Sequence, residues 1–306
     1  RDRPVVLNMS DTLFRMAGER QDERMQAVAI ATQLDYYYFQ GTNEDSVIHY
    51  TNKVKEFAKA THQPKYYYFA WANRLITYYL KTSRTNIALY EVQNMLKEAQ
   101  EEDDKTGLSR CYNIMSQIYT IKRFDSMAFE WRLKEIELTE KYKIENYNIS
   151  QTYAQIANYY INQKKQKEAL AAVEKAIATA NSSTQQISAK LEFVNYYSKF
   201  GDFQAAEKLL KECQAAFEQD KRLESIKKRL YNIECLYYQQ TKQYQKALEA
   251  AKMQEKEERR LSESILSSIH YRTQGEIYQK MGNMNLAVKY LQMYINTDDS
   301  LKIAHE

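Results

Sequence analysis

The residues able to do chemistry here are four histidines, three cysteines and many carboxylates, so their spacing comes first. His49, His62, His270 and His305 stand far apart along the chain. A helical metal site needs ligands three or four residues apart, or in paired short clusters. No two of these histidines meet that spacing, and none has a cysteine or carboxylate placed to join a second one. Cys111, Cys213 and Cys235 share no short spacing and sit among apolar neighbours. They read as buried free thiols and fix no redox compartment. Ser225-Ile226-Lys227-Lys228 fits the Ser-x-x-Lys pattern of a lysine-activated serine, but its companion motifs are absent. Six glycines are too few and too scattered for a phosphate-cradling loop. Carboxylate pairs such as Glu257-Glu258 lie in charge-mixed stretches and read as solvated helix faces. No catalytic centre, metal or cofactor is therefore expected.

The elements that must position any site are helices. The 306 residues include only 6 Gly and 2 Pro, which leaves few turn formers and favours long helices. Pro64 marks an inter-helix turn. The 27 tyrosines far outnumber 10 Phe and 2 Trp. A tyrosine ring fills a shallow core while its hydroxyl stays wet, so a chain with mean hydropathy of −0.73 can still bury a core. The net charge of +4 is small, and both signs are well mixed. The opposed runs Glu101 to Asp104 and Lys227 to Arg229 read as solvated helix ends, so no nucleic-acid partner is expected. The longest charge-free run, Asn146 to Gln163, is rich in Asn, Gln, Ser and Thr and cannot span a membrane.

An internal repeat organises the chain. A small or apolar residue follows a tyrosine by about nine positions, again and again. The pairs are Tyr38–Val47, Tyr79–Ala88, Tyr119–Met127, Tyr160–Ala169, Tyr197–Ala206, Tyr238–Ala247 and Tyr278–Ala287. The ladder from Val47 to Ala287 climbs in steps of 41, 39, 42, 37, 41 and 40 residues, which predicts seven helical hairpins. The tyrosine sits on the first helix of a hairpin (helix A) and the small residue on the second (helix B), where the two backbones approach. One hairpin cannot bury its apolar face alone, so copies stack. No a/d heptad is sustained, which argues against a coiled coil. Ser10-Asp11 reads as a helix start, with a capping helix from Thr12 to Arg20.

The clearest copy, Tyr271, Gly275, Tyr278, Gly282, Ala287 and Leu291, resembles the tetratricopeptide repeat, with a period near 40 in place of the usual 34. The resemblance implies an all-α solenoid of about seven long hairpins wound into a right-handed superhelix. A capping helix over 1–24, the array over 25–297 and the start of a C-terminal helix over 298–306 follow from it. Paired tyrosines, Asp45-Ser46-Val47, Asp125-Ser126-Met127 and the closing stretch from Tyr290 to Glu306 resemble a narrower group. These are the extracytoplasmic tetratricopeptide regions of membrane-bound regulators in Bacteroidetes, which lead into a transmembrane helix and a histidine-kinase or DNA-binding output. That resemblance implies a periplasmic sensory or scaffolding module with a membrane span downstream of Glu306. A cytoplasmic peptide-responsive regulator or assembly adaptor is the alternative. The chain opens at Arg1 without a Met and stops within a helical pattern, so both ends are expected to continue. The triplets Asp11-Thr12-Leu13 and Asp299-Ser300-Leu301 also resemble the O-glycosylation signal of that phylum, although Asp and Ser equally cap helices.

In this family helix A lines the concave face. Carrying its inward positions over gives Asn73, Thr77, Arg110, Asn113, Gln117, Gln151, Asn158, Asn195, Arg229, Asn232, Arg272 and Glu276. Amides carry both a donor and an acceptor and can pair with a peptide backbone, and arginine forks onto carboxylates. A peptide or protein partner in the groove is the expectation, although the same polarity fits a face that is simply wet. The Lys positions of the two-carboxylate clamp of chaperone-binding relatives are missing, so that specificity is not implied. The aromatic runs Tyr36 to Phe39 and Tyr66 to Phe69 with Trp71 surround their helices and read as core, with some rings left exposed as a partner patch. Oligomeric state stays open, homo-oligomers included.

Overall fold

The computed structural model describes residues 4–41, 43–146, 148–260 and 267–305, with the side chains of 258–260, 267–268 and 298–305 left aside. Every regular element in it is helical. The contacts divide the chain into two units, 1–144 and 145–304.

Unit 1 begins with α1 (Val5–Glu19), which packs on α2 (Glu23–Gln40). Three hairpins follow. The first pairs α2 with α3 (Glu44–Ala60). In the second, helix A is built of α4 (Pro64–Tyr68), a π-helical segment (Phe69–Ile76) and α5 (Thr77–Lys81), and helix B is α6 (Thr85–Glu101). The third pairs α7 (Lys105–Ile121) with α8 (Asp125–Tyr142). Unit 2 holds α9 (Ile149–Asn162) with α10 (Gln166–Ala178) and α11 (Ser183–Phe200) with α12 (Phe203–Gln219). A 3-10 turn (Lys221–Ile226) then leads into α13 (Lys227–Gln240), which pairs with α14 (Tyr244–Arg260). Last come α15 (Ser267–Lys280) and α16 (Met284–His305). Within unit 2, α11 packs against both α9 and α13, so the A helices form one layer.

The ladder holds at six of its seven predicted rungs. Val47, Ala88, Ala169, Ala206, Ala247 and Ala287 are all buried. The seventh is shifted by one residue: Met127 is 42% exposed, and Ala128, at 1%, takes the buried position. The backbone shows why. Every A-to-B turn carries one residue at positive φ: Gly41, Ser83, Arg123, Lys164, Gly201, Lys242 and Gly282. From the second hairpin onward the buried small residue follows it by five positions, which selects Ala128. Four of these seven residues are not glycine, so glycine spacing in the sequence hides the turn.

Two helix boundaries also differ from expectation. α1 starts just after Pro4, not at Ser10. Ser10 is buried in mid-helix, and its hydroxyl donates to the Ala29 carbonyl at 2.6 Å. A short hydroxyl beside a polar neighbour reads as a cap, but here it ties α1 to α2. At the other end, 298–305 prolong α16 without a break, so no separate helix opens at Asp298. Asp299-Ser300-Leu301 and His305 lie outside the residues whose side chains are described.

Most of the aromatic runs are core. Tyr38, Tyr67, Tyr68, Trp71, Tyr78 and Tyr79 are buried, whereas Phe39 is exposed and Tyr66 half-buried. Two polar tips find partners, Tyr67 Oη donating to Glu98 at 2.6 Å and Trp71 Nε1 to Glu91 at 2.8 Å, while the buried Tyr68 hydroxyl has none among the described residues. Lys55 lies 3.3 Å above the Trp71 ring centre, and its burial lowers its pKa.

Candidate binding cleft

The A-helix layer of unit 2 opens into a cleft of about 460 Å³. Its walls come from α9, α11, α13 and α15, with Gln254 reaching in from α14. Two turns fix their register. Ser182 caps α11 by accepting from Gln185 N. Asp220 closes α12, accepts from the backbone and side chain of Arg222 and from the Ser183 hydroxyl, and so starts the 3-10 turn that delivers α13. These bonds, that of the Arg222 side chain first, hold the Asp220 carboxyl at a pKa of about 2. α13 then presents Arg229 and Asn232 to the cleft, less than one turn apart, with Ser225 and Lys228 beside them.

Beneath the cleft lies a buried acid. The Glu192 side chain is 4% exposed and accepts from Arg229 Nη2 at 2.6 Å. Asn195, itself buried, donates to the other carboxylate oxygen at 3.4 Å. Arg229 and Asn195 are therefore engaged inside the protein. Above them Ala154, Ala189, Ile226 and Ile269 supply apolar lining. Gln151 on α9, Ser188 on α11 and Asn232 on α13 line the same cleft, and none has a protein partner among the described residues. Three consecutive A helices thus each offer one uncommitted polar group around an apolar surface. Such an arrangement can pair with backbone amides and carbonyls.

The other predicted residues fare differently. In unit 1, Arg110 Nη1 donates to Asn73 Oδ1 at 2.8 Å, and Gln117 Nε2 to Asn113 Oδ1 at 2.6 Å. Asn113 Nδ2 in turn bonds both oxygens of buried Glu135 at 3.2 and 3.1 Å. Thr77 Oγ1 donates to the Ala72 carbonyl inside the π-helical segment. In unit 2, Asn158 accepts from Asn162, and exposed Arg272 pairs with Glu276 one turn along its own helix. Neither lines the cleft.

Ser188, Thr184 and His270 are cleft residues that helix-position counting missed. The histidine lacks any ligand spacing that would mark it, and the hydroxyls resemble ordinary surface residues in the sequence. The Ser225 hydroxyl donates to the Arg222 carbonyl at 3.2 Å, an ordinary turn contact. Among the described residues no group of His, Cys, Asp and Glu could hold a metal ion. The three thiols are buried, and burial pushes Cys111 up to about 12 and Cys213 and Cys235 to about 11.

No family model matches the chain, and no curated protein does. Solved structures are similar to it. The apo form of the quorum sensor NprR from B. thuringiensis gives a TM-score of 0.61 at 15% identity, covering 96% of this chain and 82% of its own. A Rap protein complexed with Competence and Sporulation Factor gives 0.59 at 14% identity over 98% of each chain. A tetratricopeptide repeat protein from Parabacteroides merdae gives 0.51 at 12% identity over 99% of this chain and 98% of its own. With the hairpin ladder and its recurring turn geometry, the likeness shows that the chain has the all-α helical-repeat fold of the tetratricopeptide type.

Proposed function

We propose that this chain is a peptide-binding module, and that the A-helix cleft of unit 2 takes an extended segment. The observation that carries the reading is the set of uncommitted groups Gln151, Ser188 and Asn232 on three successive A helices. Neighbouring helix axes lie about 8–10 Å apart, and an extended chain advances about 3.3 Å per residue. One polar anchor therefore falls beside about every third residue, and about six to eight residues cross the three helices. Apolar side chains between anchors would cover Ala154, Ala189 and Ile226. The likeness to a quorum sensor and to a Rap protein solved with its factor supports a ligand-responsive regulator.

The setting we propose is the sensory or scaffolding part of a membrane-bound regulator, on the extracytoplasmic side. Its support is the Asp-Ser-apolar helix starts and the long repeats. Among the described residues no helix is long and apolar enough to cross a membrane, so the span would lie elsewhere in the protein. The second setting is a cytoplasmic peptide-responsive regulator, whose sensing role the likeness to the quorum sensor NprR supports.

Random dodecapeptides displayed on phage, selected on the full chain, test the cleft. Selected peptides should lose binding to a Ser188→Arg, Asn232→Ala variant that melts like the parent. Peptides that bind parent and variant alike would place recognition elsewhere.

A further inference from the structure

Averaged over the chain the two signs of charge are mixed, but in the turns of unit 2 they are not. Antiparallel hairpins stacked side by side bring their A-to-B turns to one edge and their B-to-A turns to the opposite edge. Each A-to-B turn of unit 2, taken with the helix ends beside it, covers the eight residues that end at the buried alanine of the ladder: 162–169, 199–206, 240–247 and 280–287. The first carries Lys164, Lys165 and Lys167, and the second Lys199. The third carries Lys242 and Lys246, and the fourth Lys280. Against these seven lysines stand two carboxylates, Glu168 and Asp202. The excess of five exceeds the net charge of +4 of the whole chain, so the remaining residues together are slightly negative. The described B-to-A turns differ. Residues 178–185 hold no charge, and in 219–226 Lys221 and Arg222 balance Asp220 and Glu224.

All seven lysines are exposed, and none forms an ion pair among the described residues. Lys164 and Lys242 occupy the positive-φ position of their turns. Asp202 is engaged in capping α12, where it accepts from Ala205 N at 3.0 Å. Among the cations, Phe203, Met281 and Met284 stand 40%, 41% and 57% exposed. The first three turns follow A helices packed in one layer, about 8–10 Å apart. The edge is therefore a row of uncompensated ammonium groups with apolar side chains set among them.

We propose that this edge docks unit 2 on a bilayer surface rich in anionic lipid, with the lysines over the headgroups and Phe203, Met281 and Met284 in the boundary beneath them. Each lysine near an anionic leaflet favours adsorption about fivefold, and apolar side chains enter the headgroup boundary. A nucleic acid fits less well. An ammonium is a hydrated point charge without the fork that grips a phosphate. Methionine offers no flat ring on which a base can stack. None of the residues that line the peptide cleft belongs to these turns, so the proposal stands without the cleft reading.

The test is cosedimentation of the full chain with vesicles of phosphatidylglycerol and phosphatidylcholine mixed one to two, and with phosphatidylcholine alone. The chain should bind the mixed vesicles, release them in high salt and ignore phosphatidylcholine. A Lys164→Gln, Lys165→Gln, Lys242→Gln variant should bind about a hundredfold more weakly. A Lys97→Gln, Lys221→Gln, Lys256→Gln variant loses the same charge at exposed positions away from the edge and should bind nearly as the parent does. A Phe203→Ser, Met284→Ser variant, which keeps every lysine, should also bind more weakly. No binding to the mixed vesicles, equal loss in the two lysine variants, or an apolar variant that binds like the parent would overturn the proposal. A single-stranded DNA twenty-mer bound more tightly than the vesicles, and lost with the first variant, would assign the edge to nucleic acid and overturn it as well. If a variant melts early, the lipid and salt dependence of the parent chain still decides.

Discussion

Arg229→Ala should destabilise the chain, although a polar arginine beside a binding cleft looks like a surface residue. The guanidinium lies 2.6 Å from a carboxylate that is 4% exposed. Removing one partner of a buried pair typically costs about 3–5 kcal/mol, because the remaining charge stays desolvated. Water reaches the 25%-exposed Arg229 side chain and would partly fill its place, which lowers the expectation to about 2–4 kcal/mol. The Asn195 amide, at 3.4 Å, is too distant to compensate. Glu192→Gln keeps an acceptor for Arg229 and should cost about 1–2 kcal/mol. Replacing both by Met should cost less than Arg229→Ala alone, since no unpaired charge remains. Urea unfolding followed by far-UV circular dichroism reads all three variants. Arg229→Ala within about 0.5 kcal/mol of the parent, the range of a neutral surface change, would show that the pair is not what holds α11 to α13. It also follows that Asn232, not Arg229, is the clean probe of binding.

The turn geometry predicts that Ala128→Lys unfolds the third hairpin, at a cost of several kcal/mol for a buried charge, while Met127→Lys leaves the urea midpoint almost unchanged. Equal effects would return the register to Met127. Gly107→Ala should destabilise by about 1–2 kcal/mol: the new methyl falls inside contact distance of the buried Tyr68 ring, and overpacking outweighs the gain in helix propensity. A more stable Gly107→Ala protein would mean the ring has room to move. At pH 8 the three cysteines should resist a thiol reagent in the native protein and all react in urea. Fast native labelling of any one would contradict its raised pKa and burial.

The hairpin frame was legible because it rests on side-chain volume: a small residue wherever two backbones approach, nine positions after a tyrosine. The slip at Met127 came from accepting an apolar residue eight positions after Tyr119, where the other six pairs stand nine apart. The αL residues that set the register are Ser83, Arg123, Lys164 and Lys242 in four turns, and polar residues in turns are unremarkable in a sequence. The candidate site was half legible. Helix position brought Gln151, Arg229 and Asn232 to one cleft. It did not reveal that Arg229 is spent on Glu192, 37 residues away, or Asn113 on Glu135, 22 residues away. Those partners are fixed by packing between helices. The π-helical segment left no mark either, since Phe69 to Ile76 reads as ordinary apolar helix.

The central claim is that a peptide lies across the A helices of unit 2, and a fluorophore placed there tests it. Ser188→Cys labelled with bimane, with the native thiols buried, reports from the cleft wall. Adding a phage-selected peptide should quench or blue-shift the bimane at 188 with the same midpoint as binding, and leave a bimane at exposed Met127→Cys unchanged. Binding that leaves position 188 silent while position 127 responds would contradict the account.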